Sequence, residues 1–260
     1  MMEQVVLSLF PKGWTKEEIL EKAQNIQQLG ISRGLNYRCV ESGQFLRVGL
    51  VQHPFYSEIL EKKPLREQRI LEIGCGFGID TRYLIQQGVV KENILAIDVA
   101  PAFIELGFEL FEDRELLESC FQIKSVGDED FVSFIRNEFS GNPIDLVTAF
   151  QVLHTIPQYN EKVANDVYQL VQPSKGIFMG ITQGIPEEKQ EPLYFDRKGD
   201  PRVAHTKQSL TNMLKGAGFQ RIKMQFLERH TYENGWTGDT DTMTDIAGRR
   251  QPLAFIAFVE

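Results

Sequence analysis

The sequence is poor in the residues that build covalent and metal frameworks. Its 260 residues include three cysteines, Cys39, Cys75 and Cys120, and four histidines, His53, His154, His205 and His230. No two cysteines form a Cys-x-x-Cys pair, and so sparse and odd a set excludes a disulfide framework and a zinc site. The histidines lie far apart, so a metal-free mechanism is the expectation. Positive charge is also short. Lys and Arg number 28 against 36 Asp and Glu, a net charge of −8 with a pI near 5.2. That argues against duplex DNA or structured RNA as a partner, since both demand a basic footprint. No apolar run approaches the roughly eighteen residues that span a bilayer. Met1–Phe10 lacks the basic and apolar regions of a signal peptide. A cytoplasmic protein without a membrane partner is expected, its oligomeric state left open.

What is present suits a globular enzyme: 42% hydrophobic and 25% charged residues are ordinary proportions. Thr15 and Glu18 form a capping box, and Ile19, Leu20, Ala23, Ile26 and Leu29 follow as an apolar stripe at helical spacing. A second helical region runs from about Pro54 to Glu61. Residues 1–66 are therefore expected to form a helical cap or lid.

From residue 67 to 260 strands and helices alternate. Strands are expected at Arg69–Ile73, Ile94–Ile97, Phe121–Val126, Ile144–Phe150 and Gly176–Ile181. Helices are expected at Asp80–Gln87, from Pro101 to about Phe111, after Asp128, and at Asn160–Val171. Pro101 fits a first helical turn. A helix at Thr206–Gly216 and two strands, Arg221–Leu227 and Leu253–Val259, close the chain. Regular βαβ alternation predicts an α/β, doubly wound, mostly parallel sheet, and the two final strands predict an antiparallel end. The polar stretch at about 182–205 is too long for an ordinary connection and reads as a substrate-side insertion.

The strongest local signal is the turn Glu72-Ile73-Gly74-Cys75-Gly76-Phe77-Gly78. In a doubly wound sheet the ligand sits at the carboxyl ends of the strands. The helix that follows such a loop offers free N–H groups to a ligand carboxylate. A dinucleotide fingerprint needs glycine where Ile79 stands, and a P-loop needs Gly-Lys-Ser/Thr, so both are excluded. Glu72 would repel a pyrophosphate and suits an amino group. Asp98 ends the second strand, placed for two ribose hydroxyls. Asp128, in Val126-Gly127-Asp128, is placed for an adenine amino group.

These residues resemble the class I S-adenosylmethionine-dependent methyltransferases. More narrowly, the chain is similar to methyltransferases of fungal secondary-metabolite clusters, including those acting on meroterpenoid intermediates. The resemblance rests on Phe45-Leu46, His53-Pro54 and Tyr56, then on Gly74 through Arg82. It continues in Phe103-Ile104-Glu105-Leu106-Gly107-Phe108-Glu109-Leu110-Phe111 with Asp113-Arg114, and ends with Phe150, His154, Gly180, Gly184, His205 and Ser209. Gly107 inside a helix suggests close packing. The chain departs from the family at Gly76, often a second cysteine, at Ile79, often glutamine, and at Ala204, usually arginine.

The resemblance implies a seven-stranded Rossmann-like sheet with S-adenosylmethionine as cofactor, held by Glu72, Gly74, Cys75, Gly76, Gly78, Asp98, Val99, Gly127, Asp128, Phe150 and Gln151. It implies methyl transfer to a small molecule. The leading expectation is an oxygen acceptor, carboxylate or hydroxyl. The alternatives are N-methylation of a small amine and a non-catalytic S-adenosylmethionine-binding protein. A nucleic-acid amino-methyltransferase is disfavoured, because Phe150-Gln151-Val152-Leu153 replaces the Asn/Asp-Pro-Pro-aromatic turn that would cradle a base. Candidate catalytic residues are His154, at the end of the fourth strand, and His205, after the insertion. Arg47, Gln52 and Tyr56 are candidate lid residues, and Trp236 a candidate cover. Cys75 reads as small loop packing and Arg82 as a surface residue.

Overall fold

Aliphatic runs too short for helices form the centre of the structure, a computed structural model that describes residues 4–186, 193–196, 199–227 and 250–260. Strands β1 (Ile70–Ile73), β2 (Ile94–Asp98), β3 (Phe121–Ile123), β4 (Leu146–Phe150) and β5 (Ile177–Gly184) pair in parallel. β1 and β4 are buried on both faces apart from the partly covered Phe150, as expected of parallel strands covered on each side by helices. A hairpin, β6 (Leu193–Phe195) and β7 (Pro201–Val203), stands apart as its own two-stranded sheet. β8 (Arg221–Phe226) and β9 (Gln251–Phe258) complete the main sheet, whose order is β3-β2-β1-β4-β5-β9-β8. β9 lies antiparallel between β5 and β8. The antiparallel end read from the sequence is therefore present. β8 alternates exposed Arg221, Lys223 and Gln225 with half-buried Ile222, Met224 and Phe226, and such charges keep an edge strand from pairing further.

Helix α1 (Lys16–Ser32) begins at Thr15, whose side chain accepts from the Glu18 N–H while Glu18 answers on the Thr15 N–H at 2.7 Å. It packs with α2 (Tyr56–Lys62), α3 (Ile79–Gln86) and α4 (Pro101–Phe111) on one sheet face. The other face carries α5 (Phe131–Glu138), α6 (Asn160–Val171) and α7 (Lys207–Ala217). On α6, Val163, Val167, Leu170 and Val171 are fully buried or nearly so, and a buried Val or Leu side chain contributes about 1.5–3 kcal/mol.

Expected and observed elements differ mainly at their ends. β3 stops at Ile123, three residues early, because Ser125, Gly127 and Asp128 turn the chain on their own hydrogen bonds. β5 runs on to Gly184, so the insertion read as starting at 182 starts later, and part of it is the β6–β7 hairpin. Gly107 explains itself: a Cβ there would lie 2.5 Å from the Phe77 carbonyl oxygen. Among the described residues no helix is long and apolar enough to cross a membrane.

Candidate active site

β1 has β2 on one side and β4 on the other, and the connections leave β1 in opposite directions there. That is the switch point at which such sheets open a crevice. A cavity of about 250 Å³ occupies it, walled by the glycine loop, the end of β2, the end of β4 and the N-terminal segment from Tyr37 to Gln52.

The loop keeps its shape through positive backbone φ at Gly74, Gly76 and Gly78, of 68°, 54° and 69°. At Gly76 a Cβ would meet nothing closer than 4.0 Å, so its backbone is open to a ligand. At Gly78, by contrast, a Cβ would lie 2.4 Å from the Phe121 ring. Gly78 therefore turns the chain into α3 and does not line the cavity, whereas Gly74, Cys75 and Gly76 do. Burial pushes the Cys75 thiol well above the usual thiol range, which suits the packing role read for it and disfavours a thiolate.

Asp98 ends β2 beside the loop. Its carboxylate accepts from the Gly76 N–H and the Ala100 N–H, both at 3.0 Å. Burial raises its pKa. Val99 follows it in the cavity wall, 60% exposed. Glu72 is buried beneath the loop, where it accepts from the Thr81 hydroxyl. Burial, and after it the charge of Asp80, push Glu72 up to about 8. Asp80 itself accepts from the Gly49 and Leu50 N–H groups at 3.1 and 2.7 Å, and burial lifts it to about 6. It thereby caps the helical turn Gly49–Gln52 and ties the N-terminal segment to the loop.

Phe150 and Gln151 close the β4 side. Gln151 has φ 60°, donates its N–H to Ile181 at 2.6 Å and receives the Gln183 amide at 3.1 Å. Arg47 and Gln52 line the cavity as well, but Tyr56 does not; its hydroxyl lies 3.0 Å from that of Tyr83.

Several expected residues stand elsewhere. Asp128 does not line the cavity; its side chain turns outward to pair with Lys124 at 3.0 Å, which also holds its pKa low. Gly127 backs onto the Tyr159 ring, 2.7 Å from where a Cβ would be. Val126 and Lys124 contribute to the wall in their place. His154 and His205 also lie outside the wall, though Thr155 and Ile156 are in it. Burial, then the nearby charges of Arg202, His205 and Arg250, press His154 down to about 3, and its buried Nδ1 has no hydrogen-bond partner among the described residues. His205 is buried with Nε2 3.1 Å from the Asn160 amide, and burial lowers it to about 4. Arg82, read as a surface residue, is 4% exposed. Its guanidinium is enclosed by aromatic rings and held by Asp113. Asp80, Tyr37 and Thr155 are site residues that sequence reasoning missed. Trp236 and His230 lie outside the described residues, and among those described no three His, Cys, Asp or Glu side chains are grouped to hold a metal ion.

A methyltransferase-domain family model matches residues 51–223. The chain belongs to that family. The methyltransferase adrK of Penicillium roqueforti is 32% identical over 141 residues, 54% of this chain and 49% of that protein. The O-methyltransferase phiE of a fungal species is 34% identical over 143 residues, 54% and 46%. The O-methyltransferase atr3 of Stereocaulon alpinum is 30% identical over 150 residues, 57% and 42%. The chain thus spans about half the length of the curated relatives it matches. The resemblance to fungal methyltransferases read from the sequence holds.

Solved structures agree on the fold. The Burkholderia thailandensis 1,6-didemethyltoxoflavin-N1-methyltransferase, with S-adenosylhomocysteine bound, superposes with TM-score 0.55 at 16% identity, covering 96% of this chain and 92% of that one. The [4+2]-cyclase SpnF also reaches 0.55, at 14% identity and 78% of each chain. A cyclase on the same scaffold shows that the fold alone does not fix the chemistry.

S-adenosylmethionine is the cofactor of this methyltransferase domain, and the site fits it. The open Gly76 backbone admits close approach, Asp98 offers carboxylate oxygens at the strand end, and Glu72 lies buried below the loop with a proton to lose.

Proposed function

We propose that this methyltransferase domain methylates an oxygen of a small-molecule metabolite, a carboxylate in preference to a hydroxyl. Bound S-adenosylmethionine supplies a methyl group on a positively charged sulfur. The protein's part is to bind, orient and exclude water, since in-line transfer needs the acceptor about 3 Å from the methyl.

We assign the ribose hydroxyls to Asp98 and the amino group to Glu72, with Gly74, Cys75, Gly76 and Val99 shaping the pocket. Phe150 and Gln151 would flank the methyl. The observation that favours an oxygen anion over a cationic amine is the distribution of charge around the cavity. The carboxylates Glu72, Asp80 and Asp98 all come from β1, α3 and β2, the cofactor side. The N-terminal wall contributes the Arg47 guanidinium with the amides Gln44 and Gln52. An acceptor carboxylate meets the Arg47 guanidinium there, while Asp80, the carboxylate that reaches that wall, already accepts from the Gly49 and Leu50 N–H groups.

His154 bears on the choice between carboxylate and hydroxyl. With its pKa near 3 it is neutral at pH 7 but a weak base, and general-base efficiency is best when the pKa lies near the working pH. A hydroxyl needs such a base; a carboxylate is already ionised. We place His154 and His205 as supports of the acceptor wall through Thr155 and the β6–β7 hairpin. Two of the relatives above carry the name O-methyltransferase, which supports the same reading, and we extend the relatives' fungal metabolism to this chain on that basis.

Incubation with labelled S-adenosylmethionine and panels of carboxylic acids, phenols and amines tests the proposal. Label is expected in a product that mild alkali hydrolyses, as a methyl ester would. Label retained on an amine would overturn it.

A further inference from the structure

Arg82 makes more contacts than surface packing would require. It donates from Nε and Nη2 to the two oxygens of Asp113, each at 2.7 Å. Its Nη1 donates to the Phe77 carbonyl at 2.7 Å and the Gly78 carbonyl at 3.0 Å. The plane of the guanidinium is covered by Phe111, 4.2 Å from ring centroid to Cζ, and by Phe121 at 5.3 Å. Four of its five N–H groups are thus committed, in a fork that an ammonium cannot copy.

The two carbonyls it holds belong to the last residues of the glycine loop. Opposite them α4 presses on the same peptide: at Gly107 there is no room for a Cβ beside the Phe77 oxygen. Asp113 follows α4 directly, after Glu112 ends that helix in a left-handed turn at φ 56°. Phe77 and Gly78 are therefore gripped from both sides, by Arg82 and by the α4 backbone at Gly107, and neither Arg82 nor Asp113 lines the cavity.

We propose that Arg82, clamped by Asp113, is a positioning residue for the cofactor: it draws the Phe77 and Gly78 carbonyls away from the cavity and so fixes the loop's Gly76 backbone toward it. The inference rests on the reading of this loop as the S-adenosylmethionine site. A second consequence follows from the charge. Arg82 is a cation near Glu72, and it favours the ionised form of that carboxylate against Asp80 and Asp98, which oppose it.

Calorimetric titration of S-adenosylmethionine into the full chain and into Arg82→Lys and Asp113→Asn, each checked for native circular dichroism, is the test. The expected result is a Kd raised at least about fivefold in each variant, in keeping with the loss of charge-assisted hydrogen bonds, while the acceptor KM at saturating cofactor stays unchanged. A smaller change in Kd in a folded variant overturns the inference. So does an equal rise in acceptor KM, which would mark a general loosening. If Arg82→Lys fails to fold, Asp113→Asn decides alone, because it keeps the Arg82 charge and loosens only the fork that aims Nη1 at the loop carbonyls; failure of both to fold makes the clamp merely structural and also overturns it. Failure of the parent chain to bind S-adenosylmethionine would instead overturn the cofactor site itself.

Discussion

At the scale of single residues the site is a small set of carboxylates held at unusual proton affinities. Asp98 is the simplest. It spends one oxygen on the Gly76 N–H and one on the Ala100 N–H, yet each carboxylate oxygen has a second lone pair for a ribose hydroxyl. Asp98→Ala is expected to weaken S-adenosylmethionine binding at least roughly tenfold, as two lost hydrogen bonds to a charged group require; unchanged affinity by calorimetry in a folded variant would refute the assignment. Glu72 carries a sharper consequence. Below about 8 it holds a proton in the free protein, and an ammonium beside it favours the ionised form. Cofactor binding near pH 7 should therefore release a proton and tighten as pH rises from 6.5 to 8. Titrations in two buffers of different ionisation enthalpy would measure it, and a binding heat independent of buffer would sink the idea.

Individual elements show how loop, helix and hairpin are joined. Gly107→Ala forces a methyl against the Phe77 carbonyl, so α4 must back away from the glycine loop. A loss of about 1–3 kcal/mol in stability is expected, the usual cost of overpacking, with weaker cofactor binding alongside; a denaturant melt matching the parent would contradict it. The β6–β7 hairpin is joined to the site differently. Arg202 donates to the Thr155 carbonyl at 3.1 Å and to Asp196 at 2.6 Å, and Thr155 is cavity wall. Arg202→Ala should raise the acceptor KM several-fold and leave cofactor affinity alone, a split that steady-state kinetics and calorimetry together would show or exclude. The βαβ order, Pro101 at the start of α4, the Thr15 cap and the antiparallel end were legible in the sequence because each depends on local pattern and turn chemistry. Arg82 and Asp80 were not: polar residues in the first turns of a helix read as solvated, and only the packing of α4 and the Gly49–Gln52 turn across them makes them buried. Asp128 was misplaced for a related reason, since strand-end position says where a residue stands but not which way its side chain turns, and Lys124 decides that.

Across the whole molecule, buried groups of opposite habit set the pH at which the fold is most stable. His53 is buried with Nε2 donating to the Gly180 carbonyl at 3.1 Å and Nδ1 accepting from the Phe55 N–H at 3.3 Å, so both nitrogens are used in the neutral form. Burial lowers it to about 4, as it does His205. A histidine depressed in this way contributes stability that is fully present above its unfolded value near 6.5 and is lost as pH falls toward 4. Glu72 and Asp80 act in the other direction. Raised to about 8 and about 6, they contribute stability that is present below their unfolded values near 4 and is lost as pH rises through 6 and then 8. Each titrating group changes stability by at most about 1.4 kcal/mol per pH unit. Between 4.5 and 6 the depressed histidines His53, His154 and His205 are opposed by the raised carboxylates Glu72, Asp80 and Asp98, and from 6 to 6.5 the histidines outweigh Glu72. Above 6.5 the histidines are silent and Glu72 still titrates. The cofactor-free protein should therefore be most stable near pH 6.5 and lose roughly 1–2 kcal/mol by pH 8.5, read from urea melts across that range. Glu72→Gln should flatten the alkaline limb, and so should saturating S-adenosylmethionine, which would give the ionised carboxylate its counter-charge. Stability that holds level or climbs from 6.5 to 8.5 in the cofactor-free parent would mean that Glu72 is already ionised beneath the loop, and its assignment to the amino group would then rest on geometry without the proton.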